Sequence, residues 1–283
     1  MLTQKLLAHL PLLLHPDPRR IAVIGLGSGV TLGAALRHGI TQADVVEISP
    51  EVVEAAALFE RENDGALRDP RTHVILADGR THLQLSDQRY DAVISEPSNP
   101  WMAGVASLFT EEFFRTARAR LAPGGLICQW AHTYDLAAAD LRSIAATFSR
   151  VFPNGTIWLV GAGDVLLIAT AGDQPLAIAD IARAWSRPGV AADLATVSVF
   201  EPFSLLSLYV TGRAGLQRYA GGAVIQTDDR NTLEFSGPLA LYASPADNEA
   251  ELRALADRAE LPPEARGVLE RGGAVEWKHR GEM

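Results

Sequence analysis

Ile21-Ala22-Val23-Ile24-Gly25-Leu26-Gly27-Ser28-Gly29 is a short apolar run that breaks into alternating glycines. A run of that length bounded by glycine reads as a buried strand, and the helix-like segment 31–37 after it completes a strand, tight turn and helix. Glycine lets the backbone turn sharply and lets a ligand approach the chain, while the helix start offers free N–H groups. The next apolar run closes on Glu47, about 20 residues on, where a carboxylate can accept from both hydroxyls of a ribose. A tight strand-to-helix turn would explain the glycines alone. Glycines and Glu47 together point to a nucleoside-type ligand.

Working outward, apolar runs at 21–25, 44–48, 73–77, 91–96 and 125–130 alternate with helical patterns at 31–37, 50–61, 110–121 and 137–152. Such alternation predicts a doubly wound α/β sheet with parallel strands. After Phe152 the pattern changes to runs at 156–160 and 165–170 around Gly161-Ala162-Gly163-Asp164, which reads as a hairpin. Five parallel strands plus a terminal antiparallel hairpin predict a mostly parallel seven-stranded sheet of the class I methyltransferase type. A dinucleotide dehydrogenase would continue with βαβ units instead. Residues 1–170 are therefore expected to form the catalytic domain, and 171–283, with breaks at Pro188, Pro202 and Pro238, a helical and irregular extension that covers the site.

Composition narrows the function classes. A net charge of −9 argues against nucleic acid as a partner and is compatible with a cationic substrate. Cys128 is the only cysteine, which excludes an internal disulfide, and no Cys/His cluster has zinc spacing, so no metal is expected. The apolar start, residues 6–14, is interrupted by Pro11 and is far shorter than the roughly 20 residues of a membrane span. It also lacks the basic start and cleavage site of a signal peptide. A short helix packed on a cytoplasmic domain is expected.

In a doubly wound sheet the ligand lies across the carboxyl ends of the strands, so the residues ending each run carry the chemistry. Asp78-Gly79 follows the third run: the acid can accept from an adenine amino group, or it can cap a helix beginning at Arg80. Glu96 ends the fourth run, where a carboxylate is expensive unless it is paired, hydrated or facing a pocket. It can hold an ammonium or take the proton that an amine must lose; the structural alternatives are a cap for 105–108 or an ion pair with Arg80. Asn99-Pro100-Trp101 forms a rigid turn with an amide and an aromatic face, and Gln129, His132, Tyr134 and Asp135 follow the fifth run. Asp228-Asp229-Arg230 reads as a solvated turn, and Cys128, inside an apolar strand, as an inert thiol.

These residues resemble the spermidine synthase, or polyamine aminopropyltransferase, family. The resemblance runs from Gln4 to about Thr170 through the glycine loop, Val46-Glu47-Ile48, Ala77-Asp78-Gly79, residues 90–94, Ser107-Leu108-Phe109 and residues 124–129. It is closest to the bacterial branch often fused to membrane segments, with Glu-Pro-Ser-Asn-Pro-Trp at 96–101, Thr-Asp-Asp-Arg at 227–230 and Leu-Glu-Phe at 233–235. The resemblance implies aminopropyl transfer from decarboxylated S-adenosylmethionine to a small cationic amine such as putrescine, without a metal. Gly25, Gly27, Ser28, Gly29, Glu47, Ile48, Asp78, Gly79 and Gln4 would then hold the donor, Asn99, Trp101, Gln129 and Tyr134 the amine, and Glu96 would be catalytic. A homodimer is compatible with it.

Three departures matter. Ser28 stands where the family has an aspartate, Asn99 replaces a second aspartate, and no counterpart is expected of the small β-domain that precedes the family's equivalent of Gln4. With two anionic handles fewer, an S-adenosylmethionine-dependent methyltransferase on the same fold and a non-catalytic nucleoside-binding module stand as alternatives.

Overall fold

The computed structural model describes residues 1–102, 104–174, 176–240, 247–263, 265–267 and 269. Its centre is a sheet of strands β1 (Arg20–Ile24), β2 (Gln42–Glu47), β3 (Thr72–Leu76), β4 (Tyr90–Ser95), β5 (Leu121–His132), β6 (Thr156–Val160), β7 (Asp164–Thr170) and β8 (Tyr209–Thr211). The order is β3-β2-β1-β4-β5-β7-β6-β8. The first five run parallel, and β7, β6 and β8 are antiparallel additions. Strand order reverses between β1 and β4, which opens a crevice at their carboxyl ends.

The seven expected strands form, and an eighth corrects the count. Three residues are too few to display a period of two, so β8 gave no signal in the sequence. Tyr209 fixes it by packing edge-on against the buried Trp158 of β6, with ring centroids 5.2 Å apart. The segment after Thr170 thus contributes an edge to the central sheet.

Helices α1 (Leu2–Leu13), α2 (Val30–Ala35), α3 (Pro50–Ala56), α4 (Gly79–Leu85), α5 (Glu111–Arg120) and α6 (Ala138–Val151) cover the two faces. One apolar layer joins α1 and α2 to Ile94, Cys128 and Trp130, and continues into the helices Ile181–Trp185 and Val190–Ala195. The opposite layer joins Phe113, Phe114 and Phe148 of α5 and α6 to Val93 and Ile127. Alternate residues of β1 and β5 feed alternate layers.

Local signals explain the helix starts. Ser49 caps α3, accepting from the Val52 amide at 3.2 Å with Pro50 next to it, and Thr110 caps α5 by accepting from Phe113 at 3.3 Å. The expected helix 50–61 is shorter than its pattern, passing into a 3₁₀ turn at Ala57–Phe59. Helix α1 keeps its α form past Pro11, which falls in its last turn, and buries every residue from Lys5 to Leu13. Its apolar sequence belongs to the core. Among the described residues no helix is long and apolar enough to cross a membrane.

Candidate active site

The glycine loop between β1 and α2 needs its glycines where the backbone demands them. Gly25 sits at φ +91°, and a Cβ there would lie 2.5 Å from the Glu96 carbonyl oxygen. That close approach seats the loop directly on the tail of β4. Gly27, at φ +52°, has open space on its Cβ side, as a cradle for an outside ligand requires. Asn63 clamps the loop by donating from Nδ2 to the Ser28 carbonyl at 2.9 Å and to that of Ala56 at 3.0 Å. This buried asparagine lies far along the chain from the glycines, and the sequence did not single it out.

Glu47, buried at the end of β2, accepts from the Leu26 amide at 3.0 Å through one oxygen and from the Ser49 amide at 2.9 Å through the other. The carboxylate is thereby fixed, and each oxygen keeps a lone pair. Beside it Ile48 is 70 % exposed, an apolar platform at the strand end. Asp78 caps α4 by accepting from the Thr81 amide at 2.7 Å, so the capping alternative is realised while its second oxygen makes no hydrogen bond among the described residues. Gly79 follows because a Cβ there would meet Ile24 of β1 at 2.4 Å.

Neither structural alternative for Glu96 is realised. Arg80 pairs with Asp228 of the Asp228-Asp229-Arg230 turn, and the 3₁₀ turn Val105–Phe109 begins at Gly104. The carboxylate of Glu96 is held instead by Thr31 of α2, whose Oγ1 lies 2.6 Å from Oε2 and 3.1 Å from the carbonyl oxygen of Gln4. A hydroxyl has one proton for these two acceptors. Thr31 donates that proton to Glu96 when the acid is ionised, and the Gln4 carbonyl is the alternative acceptor. Burial is the main reason the acid is pushed up to about 7; the hydrogen bond with Thr31 opposes the rise, and the charge of Asp164 adds to it.

Asp164, at the first position of β7, lies on the same wall, and the sequence reading took it for part of a hairpin turn. It accepts from Trp130 Nε1 at 3.1 Å and from the Thr3 hydroxyl. His132 is its register partner on β5. His132 donates from Nδ1 to the Tyr134 carbonyl at 2.7 Å, so the bare nitrogen is Nε2, which is buried and unpartnered among the described residues. Burial holds this imidazole below its ordinary range. It is therefore a neutral acceptor.

Trp101 packs edge-on against His132 at 5.3 Å, and the half-exposed Tyr134 stacks on it at 4.4 Å. Gln129 is buried in register with Ser95; its Nε2 donates to the Trp130 carbonyl at 3.0 Å, and its Oε1, like Gln4 Oε1, has no partner among the described residues. Asn99 lies half-buried in the turn after Glu96, and only its backbone carbonyl is engaged, by the Met102 amide at 3.0 Å. Cys128 is fully buried, and burial raises its thiol far above the usual range.

The structure therefore joins the glycine loop, Glu47 and Ile48 in one cradle, and Gln4, Glu96, Trp101, His132, Tyr134 and Asp164 along the adjoining wall. The second set is rich in acceptors and contains no lysine or arginine. A family model, the spermine/spermidine synthase domain, matches residues 1–160.

The chain belongs to the spermine/spermidine synthase family.

Within that family it is 30 % identical over 158 residues to a polyamine aminopropyltransferase of Thermotoga petrophila, a match covering 55 % of this chain and 53 % of that protein. A putrescine N-methyltransferase 2 of Nicotiana attenuata matches at 33 % over 150 residues, 52 % of this chain and 40 % of that one. The chain thus spans about half the length, or less, of these curated relatives. Among solved structures, a spermidine synthase in complex with the transition state analogue AdoDATO superposes with a TM-score of 0.64 at 24 % identity, covering 78 % of this chain and 75 % of that one. That likeness extends the fold of the spermine/spermidine synthase family beyond residue 160.

Proposed function

We propose that the protein is an aminopropyltransferase, using decarboxylated S-adenosylmethionine to alkylate a small amine, with Glu96 as the base. The observation carrying this reading is Glu96 itself: a carboxylate at the tail of β4, without a salt bridge among the described residues, held by Thr31 and poised at about 7. An acid tuned close to neutral pH is suited to exchanging a proton with an amine. Membership of the spermine/spermidine synthase family supports the same chemistry.

In this reading residues 1–170 form the catalytic unit and 171–283 its covering extension. The cradle of Gly25, Gly27, Ser28, Gly29, Glu47 and Ile48, with Asp78 and Gly79 beyond it and Gln4 alongside, receives the adenosyl donor. The fit rests on the open side of Gly27, the lone pairs left on Glu47 and the exposed Ile48. The donor supplies a carbon activated by its sulfonium.

The amine enters along Asn99, Trp101, Gln129 and Tyr134, where the orphaned Oε1 of Gln129 and the nearby Nε2 of His132 favour N–H donors. Its nitrogen must be neutral to attack. As the C–N bond forms in line with the breaking C–S bond, the bonding pair leaves with sulfur as a neutral thioether, and the surplus ammonium proton passes to the Glu96 carboxylate. Alignment and a fixed anion beside the developing ammonium are what the protein adds. We take the enzyme to be cytoplasmic, and a homodimer is compatible with this reading.

The experiment is turnover of the decarboxylated donor with a panel of amines, following methylthioadenosine. The expected result is product from the wild type and a loss of about 10²- to 10⁴-fold in kcat for Glu96→Gln, with methylthioadenosine still bound. No product with any amine would refute the reading. A second reading, an S-adenosylmethionine-dependent amine methyltransferase, is favoured by Ser28 and Asn99, which take away acids suited to a bare donor amine, and by the match to a putrescine N-methyltransferase. Calorimetry with both donors separates the two; tighter binding of S-adenosylmethionine would select the second.

A further inference from the structure

Ser28 and Asn99 remove two carboxylates from the positions where the family resemblance places them, yet the wall of the cleft is not stripped of charge. An acid arrives from a different element. Asp164 begins β7, directly across from His132, so the two side chains share a face of the sheet. Trp130, two residues before His132, lies on that face and donates to Asp164 Oδ1 at 3.1 Å. The Thr3 hydroxyl holds the other oxygen, and each oxygen retains a lone pair.

Two independent observations mark this corner as a place for a donor-rich group. His132 Nε2 is buried and bare, and the adjacent Nδ1 contact fixes it as an acceptor. The rings of Trp101, Trp130 and Tyr134 surround His132, with centroids between 4.4 and 5.3 Å away, and aromatic faces attract cations. Asp164 itself is half-buried, open enough to meet a solute and dry enough for its charge to matter.

We propose that Asp164 is the specificity-determining residue that anchors the distal ammonium of a diamine while Glu96 faces the reacting nitrogen. The inference rests on the aminopropyltransferase reading and adds to it the residue that selects the acceptor. The influence of Asp164 on Glu96, raising its affinity for a proton, is consistent with their sharing one cleft. A monoamine of the same length would satisfy Glu96 and leave Asp164 without a partner.

The test is calorimetric titration of 1,4-diaminobutane and 1-aminobutane into enzyme saturated with methylthioadenosine. The wild type is expected to prefer the diamine by about tenfold, the scale of a partly shielded ion pair. In Asp164→Asn the preference disappears through loss of diamine affinity, with monoamine and methylthioadenosine binding unchanged. Thr3→Ala, which breaks the same hairpin contact and keeps the charge, retains the preference, and Asp164→Glu restores it. A readout that a merely structural role would not move is the acid limb of the turnover profile, which shifts to lower pH in Asp164→Asn because Glu96 loses an anionic neighbour.

Equal affinity of the wild type for the two amines would overturn the proposal without any variant, and so would an unchanged preference in Asp164→Asn. Failure of methylthioadenosine to bind the wild type would refute the adenosyl-donor reading and take this inference with it. The nucleoside titration alone tells those failures apart.

Discussion

Replacing Glu96 with glutamine should make the protein more stable as it makes it inactive, and the gain should depend on pH in a defined direction. In the fold this acid holds its proton up to about 7, against an ordinary 4.5. The folded state therefore binds the proton more tightly than the unfolded chain does. Stability from this group is fully present below about pH 4.5 and is lost as pH rises through about 7. A difference of about 2.5 in pKa, at about 1.4 kcal/mol each, corresponds to about 3 kcal/mol. Glutamine is neutral throughout and loses nothing. The gap between Glu96→Gln and wild type should thus open by about 3 kcal/mol between pH 4.5 and pH 8.5, read from urea unfolding curves of the two proteins in the same buffers. His9 and His38 act in the opposite sense: burial holds both below 6.5, so they favour the fold less as pH falls below that value. They are common to both proteins and cancel in the difference. A gap that stays flat across this range, or narrows as pH rises, would refute the idea that the fold pays to keep a near-neutral acid at the tail of β4.

Two further outcomes follow from other parts of the fold. Gly25→Ala combines a positive φ with a clash against the Glu96 carbonyl, and should destabilise by about 3 kcal/mol; a change within about 0.5 kcal/mol in denaturant unfolding, the range of an innocuous surface substitution, would show the loop yields freely. Asp193→Asn strips the anion from Lys5 Nζ, 2.6 Å away, and from His9 Nε2, 2.7 Å away. Burial opposes ionisation of this aspartate, yet the hydrogen bonds from His9 and Lys5 hold it down to about 2. Leaving Lys5 buried and unpaired should cost about 3–5 kcal/mol at neutral pH, measured by the same unfolding assay, and a loss under about 1 kcal/mol would mean that water reaches the pair.

Much of the architecture was legible because parallel strands buried on both faces are written as continuous apolar runs, as in Ile21–Ile24 and Ala92–Ile94. The hairpin was legible for a different reason, two apolar runs around a glycine-rich turn. The edge strand Tyr209–Thr211 was not, since its place depends on Trp158 rather than on its own pattern. The site divides in the same way. Glu47, Asp78 and Glu96 stand at strand ends, where an acid after an apolar run is conspicuous. Asn63, Thr31 and Asp164 earned no notice because each looks like ordinary helix or turn chemistry until distant segments meet: Asn63 reaches the Ser28 carbonyl 35 positions away, and Thr31 reaches Glu96 65 positions away. Asp78 shows the reverse case, where one local feature serves as a helix cap whatever else it does.

The first helix carries a consequence for how the chain matures. Its leading turn supplies the Thr3 hydroxyl and the Gln4 carbonyl to the cleft wall, and its middle is tied through Lys5 and His9 to Asp193, more than 180 positions away. During synthesis this oily helix has no finished seat until residue 193 has left the ribosome, so its residues are made long before they lock. The cleft gains this wall only at that moment, which couples its assembly to a segment made well after β7.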